Sequence, residues 1–508
     1  RGVLKGDGMN WIPLLLVLLT GSDWERDFKR GWNSGEPQQQ RSAIRSLKGI
    51  NRPEVVRTLI WATSRVERKI GILEREQRHI QSTMARIPAD SLVDPEGRLI
   101  DREGFEKRKE LDRESKRVQK ERAHYISLYE EYEVVISAFT DPETISLVCA
   151  ETRRSRYWRF RYAAIRGMSG LDADGVQMAF EDGLEDREGR VAVAAAEVLA
   201  SWPESLSQLG EALHRPEWQV QLAAAKSLES LDRVEAIEYL LTALEESDGR
   251  MKSEFNSILV ALTGQNKHEK EDLWREWWTE VKEGFDETRP SRAERLKKAH
   301  SARKGADGQS TFYGIQVRSK RMIFVLDRSG SMGGPARMKV GGGMATAGAG
   351  DDSEIGDRKI DVCRYELKRV LRSLPDDARF SIIYYNRDGI RFPKKGLARA
   401  TTSTVKKACR FLDAIDPLGA TNIFDMLEEG MSGKWEDQVD TLFLLSDGLP
   451  NCGRVETPGE IAKEIQRLNS DARVRIHTIN VGGGSANRQF MKRLAEENDG
   501  TFVDRSGS

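Results

Sequence analysis

Cysteine is scarce in this chain of 508 residues. Cys149, Cys363, Cys409 and Cys452 stand far apart, with no Cys-x-x-Cys and no histidine at zinc-ligand spacing, which argues against a zinc site. Three of the four lie beyond residue 311, so one disulfide there is open to the sequence, but buried free thiols are the simpler expectation. An excess of charge is missing too. Lysine plus arginine and aspartate plus glutamate both number 81, so no global field draws the chain to nucleic acid or anionic membrane. Histidine is thin: His79, His124, His214, His268, His300 and His477 are scattered, none beside a nucleophile. With no general base in view and no catalytic motif, an enzyme is not expected. Aromatics are 7% of the chain against 32% charged residues, a balance typical of solvated helices over modest cores.

Long apolar runs are also absent. The one candidate is Met9-Asn10-Trp11-Ile12-Pro13-Leu14-Leu15-Leu16-Val17-Leu18-Leu19, with Arg1 and Lys5 before it and Thr20-Gly21-Ser22 after. About ten apolar residues cannot span ~30 Å of hydrocarbon as a helix, and no cysteine follows for lipid attachment. The segment 1–22 reads as a secretory signal, although no Ala-x-Ala cleavage site is visible, and export to the envelope or beyond is the expectation. A buried N-terminal helix or an uncleaved anchor is the alternative, so membrane contact is expected at most through the N-terminus.

What the chain does contain is modular, and its length allows about three domains. Residues 23–62 carry short helical patterns. Over 63–139, Val66, Ile70, Leu73, Gln77, Ile80, Met84 and Ile87 alternate at spacings of four and three, and Leu111, Val118, Tyr125, Tyr132 and Phe139 recur every seven with Leu128 and Val135 between them. Two such seams joined by a short Pro95-Glu96-Gly97 turn predict an antiparallel coiled-coil hairpin, with a dimeric coiled coil as the alternative. Across 140–285, segments starting at Phe160, Val191, Val220 and Met251 stack as repeats, the clearest being Val191-Ala-Val-Ala-Ala-Ala-Glu-Val-Leu-Ala. Two helices per period of about 30 residues predict an α-solenoid, and the pattern resembles HEAT-like repeats. Trp274, Trp277 and Trp278 read as an end cap for it. Residues 286–310, basic and polar, read as a linker.

From residue 311 the pattern changes to alternating strand and helix. An apolar run at 321–326 fits a strand buried on both faces, further strands fall near 380–385, 441–445 and 474–481, and amphipathic helices separate them, which predicts a doubly wound α/β fold. Asp327-Arg328-Ser329-Gly330-Ser331 follows the first strand, Leu444-Leu445-Ser446-Asp447-Gly448 ends a later one, and Gly419-Ala420-Thr421-Asn422 lies in a loop before a helix. In open parallel sheets, ligands bind beyond the C-terminal ends of the strands. Together these three loops resemble the metal-ion-dependent adhesion site of the von Willebrand factor A family, over residues 311–508. The resemblance implies that Ser329 and Ser331 ligate a metal directly, that Thr421 does so directly or through water, and that Asp327 and Asp447 act mostly through bound waters. Hard oxygen donors retaining water favour Mg²⁺, with Mn²⁺ as substitute. Such an ion keeps a position open for an Asp or Glu carboxylate supplied by a protein partner.

Simpler readings stand beside these. A lone Asp-x-Ser-x-Ser is usually a helix-capping turn, and it is the agreement of three loops that outweighs this. Asp425 is equally well a support for Thr421 or plain helix surface, Arg328 a solvated side chain, and Gly482-Gly483-Gly484 a turn rather than a phosphate loop. The stretch 333–356, carrying Asp351, Asp352 and Glu354, departs from the family pattern as either a flap or a specificity loop. The chain also ends soon after its last expected strand, where the family usually adds a helix. An exported adhesion or assembly protein is therefore the leading expectation. Helical repeats followed by this metal domain also resemble Ro ribonucleoproteins, but residues 136–285 hold 17 Lys/Arg against 28 Asp/Glu, the wrong sign for binding phosphates. An intracellular chelatase-like assembly role is the other alternative.

Overall fold

The computed structural model describes residues 22–92, 100–302, 311–336, 356–431 and 439–506. The expected export signal and most of the 333–356 stretch, with Asp351, Asp352 and Glu354, lie outside the described residues. The chain divides into two compact units, Arg1–Arg78 with Arg117–Leu209, and His79–Lys116 with Gly210–Ser508. The borders expected at 139/140 and 285/286 are therefore not unit borders. Two helices of 32 and 35 residues are each about 50 Å long, and one helix of that length can contribute to both units.

The first unit is helical. Helices α1 (Asp23–Asn33) and α2 (Pro37–Arg45) precede α3 (Pro53–Met84), and Phe28, Trp32 and Trp61 pack ring against ring, with centroids 5.6 and 6.1 Å apart along that series. A boundary at 62/63 does not exist: Pro53 opens a single helix and no proline follows before Pro88, so nothing stops its propagation. In α4 (Arg102–Ile136), Tyr129 donates to Glu67 at 2.9 Å, and Lys69 pairs with Glu121 and Arg122 with Glu74. The seam residues Val66, Ile70, Leu73, Val118, Leu128, Tyr132 and Val135 are buried. The partners run in opposite senses along the two helices, as in an antiparallel pair.

Next come helix pairs: α5 (Pro142–Arg154) with α6 (Trp158–Gly167), and α7 (Val176–Leu184) with α8 (Gly189–Val198). Asp141 caps α5 by accepting from the Thr144 N–H at 2.8 Å, one of the donors a helix start leaves open. Small residues set the spacing of the pairs. A Cβ on Gly183 would lie 2.9 Å from that of Ala195, so α7 and α8 approach as closely as glycine and alanine allow.

After α9 (Leu206–Ala212), which straddles the unit border at 209/210, the second unit carries α10 (Trp218–Leu231), α11 (Ala236–Glu246), α12 (Gly249–Thr263) and α13 (Glu271–Val281). Trp274 and Trp278 are buried, their indole N–H groups held by Asn256 and the His268 carbonyl and by Glu238. The linker expected over 286–310 is corrected as far as residue 302. A short turn, α14 (Phe285–Thr288), leads into α15 (Arg292–Ala302), which packs against α12. Arg289 just before this helix and Arg295 within it face inward: both bond Asp232 and the Leu262 carbonyl, satisfying acceptors that the C-terminus of α12 leaves open.

The rest of this unit is α/β. A small hairpin, β1 (Thr311–Phe312) and β2 (Ile315–Gln316), precedes β3 (Arg321–Asp327). Then come α16 (Lys359–Ser373), β4 (Arg379–Tyr385), β5 (Gly389–Phe392), β6 (Ala398–Arg399), α17 (Thr402–Asp413), α18 (Ile423–Met431), β7 (Thr441–Ser446), α19 (Pro458–Ala472), β8 (Arg475–Asn480), α20 (Ser485–Glu496) and β9 (Phe502–Asp504). The described strands form a seven-stranded sheet of order β5-β4-β3-β7-β8-β9 with β6 beside β4. β3 runs parallel to both β4 and β7. Met322, Phe324 and Leu326 pack with α16 and α17, while Ile323 and Val325 pack with α18, α19 and α20, so the period-two alternation of β3 feeds two cores. The distal part of the α3–α4 pair also belongs to this unit. Arg108 there, 5% exposed, donates to the Ile87 carbonyl and pairs with Asp388 in the loop after β4.

Candidate functional site

Chain order reverses between β3 and β7: one branch of the sheet grows from β3 to β4, the other from β7 to β8 and β9. Such a switch point splays the loops at the strand ends and opens a crevice there. Asp327 is the last residue of β3, and Asp447 follows the last residue of β7.

Asp327 is fully buried. One of its oxygens accepts from the Ser329 N–H at 2.7 Å and the other from the Ser446 hydroxyl at 2.7 Å. Burial pushes its carboxyl up to about 6, against the downward pull of those two hydrogen bonds, because a desolvated carboxylate is costly. The Ser329 and Ser331 hydroxyls stand 3.1 Å apart, and the Ser331 hydroxyl donates to Asp447 at 2.7 Å. Ser329 is buried and Ser331 exposed, so the cluster meets solvent at Ser331.

Thr421 arrives on a loop fixed by backbone bonds. The Gly330 N–H donates to the Gly419 carbonyl at 3.1 Å and the Leu418 N–H to the Arg328 carbonyl at 2.7 Å. The Thr421 N–H donates to the Asn451 side chain, and the Asn451 N–H returns to the Thr421 carbonyl. Gly419 has φ +82°, and a Cβ there would lie 3.0 Å from the Asn386 amide nitrogen, so the turn requires glycine twice over. Three loops distant in sequence are thereby tied together, and with them all five residues singled out by the sequence.

Other expectations need correction or sharpening. Arg328 is not solvated: it is 4% exposed and its guanidinium reaches toward the Asp416 carbonyl. Asp425 is not plain helix surface. It accepts from Asn422, the neighbour of Thr421, and pairs with buried Arg454. Gly482 and Gly483 form a turn after β8, with the Gly483 N–H on the Asn480 side chain. All four cysteines are free thiols, Cys363 and Cys452 buried.

Two residues escaped the sequence reading. Ser446 orients Asp327, and a serine at a strand end gives no sign of that. Lys359, the first residue of α16, places its ammonium 2.6 Å from the second oxygen of Asp447; it lies 28 positions beyond Ser331 with no motif around it. Between them runs a pinched neck. The Ala336 N–H bonds the Asp357 carbonyl, Pro335 bridges Arg358, and the Lys359 N–H bonds the Gly334 carbonyl.

The donor set consists of two carboxylates and three hydroxyls, all hard oxygen, which fits a small divalent ion that keeps some of its water. Among the described residues no group of three or more His, Cys, Asp or Glu side chains is placed to hold a metal. No helix among the described residues is long and apolar enough to cross a membrane.

Similarity to known proteins falls in two parts. A profile for HEAT repeats matches residues 177–257, the stretch from α7 into α12, so a HEAT-like repeat region precedes the α/β region. The chain is also similar to inter-alpha-trypsin inhibitor heavy chain H2 of Mus musculus, 28% identical over 190 residues, and of Homo sapiens, 29% over 191 residues. Heavy chain H4 of Homo sapiens is 26% identical over 199 residues. These alignments cover 36–37% of this chain and 17–18% of the relatives, so the chain spans under a fifth of their length. Among solved structures, a conserved hypothetical protein BatB from Bacteroides thetaiotaomicron matches 37% of this chain and 90% of its own at 15% identity and a TM-score of 0.25, a likeness too loose to build on.

Proposed function

We propose that the α/β region is a von Willebrand factor A-type binding module that holds Mg²⁺ among Asp327, Ser329, Ser331, Thr421 and Asp447, and that the protein is an exported adhesion or assembly factor. The observation that carries this reading is the bonded series Asp327, Ser329, Ser331, Asp447 at the switch point of the sheet, with the Thr421 loop tied to it. Mg²⁺ bound there supplies an electrophilic position for an Asp or Glu carboxylate of a protein partner. The chain's own part is positional. Ser446 and the Ser329 N–H fix both oxygens of Asp327, Ser331 and Lys359 fix those of Asp447, and the buried floor excludes bulk water from all but the Ser331 side.

The helical repeats support a protein-interaction role, since stacked helix pairs present extended faces to partners. Relatives named as heavy chains of an inhibitor support the same class of role, for a protein that works within an assembly. The test is a pull-down from envelope extracts with the full chain, with Mg²⁺ and with EDTA, beside Asp327→Ala. Partner capture that needs Mg²⁺ and is lost in the variant is the expected result; capture insensitive to EDTA rejects the reading.

A further inference from the structure

Lys359 has no part in the ligand set above, yet it makes the closest ion pair at the site. Its ammonium lies 2.6 Å from an oxygen of Asp447, with the side chains 18% and 0% exposed. Asp447 thus divides its two oxygens, one taking the Ser331 hydroxyl and the other the ammonium. The lysine is seated. Its backbone N–H is fixed on the Gly334 carbonyl at the first position of α16, and its stem crosses Gly482, where a Cβ would come within 3.0 Å of Cε and 3.3 Å of Nζ. The turn after β8 therefore leaves a groove of backbone width that the lysine stem occupies.

Charge makes this arrangement consequential. Asp327 and Asp447 bring two negative charges and Lys359 one positive, so the bonded cluster stands at minus one. A divalent cation takes it to plus one, and a single carboxylate returns it to zero. In a site with a buried floor an unbalanced charge is far costlier than in water. We infer that Lys359 is a specificity-determining residue: its charge weakens the divalent cation bound alone and selects an anionic ligand for the cation-loaded site. This rests on the metal-site reading above. Without the ammonium, two carboxylates neutralise the cation unaided, and the incoming carboxylate becomes surplus.

Arg328, turned toward the Asp416 carbonyl, is common to the original chain and its variants and drops out of the comparison.

The experiment titrates the full chain with Mn²⁺, read by its electron spin resonance signal, and then titrates the Mn²⁺-loaded chain with a carboxylate probe, acetate or free glutamate. In Lys359→Met, Mn²⁺ alone is expected to bind about tenfold tighter than in the original chain, and the probe to bind the Mn²⁺-loaded variant about tenfold more weakly. Lys359→Gln is the second variant should methionine disturb the fold, and Lys359→Arg, which keeps the charge, is expected to match the original chain. Mn²⁺ and probe affinities that stay unchanged in folded Lys359→Met or Lys359→Gln overturn the inference, while Mn²⁺ binding that vanishes in Asp327→Ala leaves the metal reading intact. No Mn²⁺ binding by the original chain overturns both.

Discussion

The β7 and β8 strands begin and end among charged side chains, but the two ends treat charge differently. At their starts, Arg250 of α12, 2% exposed, donates to the Asp440 and Arg473 carbonyls and pairs with Glu254, which in turn pairs with Arg475 at 2.6 Å. The Arg250 guanidinium also lies 4.9 Å from the Trp218 ring, and Lys226 reaches Asp499 at 2.8 Å. Positive and negative groups alternate there and close on one another. At the far end of the sheet Lys359 pairs with Asp447, Asp327 at the end of β3 is met by hydrogen bonds alone, and one hydroxyl faces solvent. The difference separates a joint from a site: each charged group of the first is paired within the protein, while the second keeps the Ser331 hydroxyl open to solvent.

The largest effect is expected where the joint is broken. Arg250→Met takes one of the two cations from Glu254, leaving Arg475, and removes the donor to the Arg473 carbonyl, and removing a partner from a buried ion pair costs up to roughly 3–5 kcal/mol. Urea unfolding of the full chain should show that loss with Mn²⁺ affinity unchanged; a variant as stable as the original would mean the joint carries no weight.

Asp327→Asn tests the other end, where opposite signs are expected with and without metal. An asparagine can accept from the Ser329 N–H and donate to Ser446, whose hydroxyl also lies 3.1 Å from the Gly448 carbonyl, so the fold keeps its hydrogen bonds. Because folding raises the Asp327 carboxyl to about 6, the folded chain holds a proton that the unfolded chain has released. Stability without metal therefore falls as pH rises from the ordinary carboxyl range through about 6. The variant should escape that fall, melting higher than the original chain in EDTA at neutral pH by the equivalent of about 3 kcal/mol, and should gain nothing from Mg²⁺. Melting curves in EDTA across pH 4 to 7 decide this. A lower melting point for the variant would mean the carboxylate is not strained.

Gly419→Ala should cost less, about 1–2 kcal/mol, from the positive φ, plus weaker Mn²⁺ binding as the Thr421 loop shifts off Asn386. Calorimetric unfolding and the same titration read both. The smallest expected effect is at Asp499. Burial pushes its carboxyl up, but Lys226, with Arg475 and Arg250 behind it, outweighs that and holds it at about 2. A depressed carboxyl contributes stability above its ordinary range and loses it as pH falls through about 2. Asp499 is half-exposed, so solvent screens the pair, and Lys226→Met should flatten only slightly the acid limb of stability between about pH 4 and 2.

The site was legible in sequence because its chemistry sits at strand ends. Asp327, Ser329 and Ser331 are contiguous, and an apolar run before them announces the strand that carries them to the sheet's edge. Asp447, just past the end of β7, follows by the same logic, whereas Thr421, in a loop between two helices, was reached only through the resemblance of the three loops. Lys359 and Ser446 were not legible, because an ion pair across 88 residues and a hydroxyl turned toward one carboxylate leave no periodic trace. The repeats were readable from alanine-rich spacing, whereas α15 passed for a linker. Arg289 and Arg295 look like solvated charge in composition, and only the carbonyls at the end of α12 and the carboxylate of Asp232 give them an inward role. The boundary at 62/63 failed for a related reason, since a change in hydrophobic pattern along α3 marks a change of neighbours and not an end of helix.

The pinched neck between Ser331 and Lys359 works as a clasp. Because Gly334, Pro335 and Ala336 are bonded to Lys359, Arg358 and Asp357, the turn that carries the site's serine hydroxyls and the helix start that carries its ammonium are held in register by main-chain bonds. That registration belongs to the backbone, so side chains in the neck can be exchanged while the carboxylates and the ammonium keep their places.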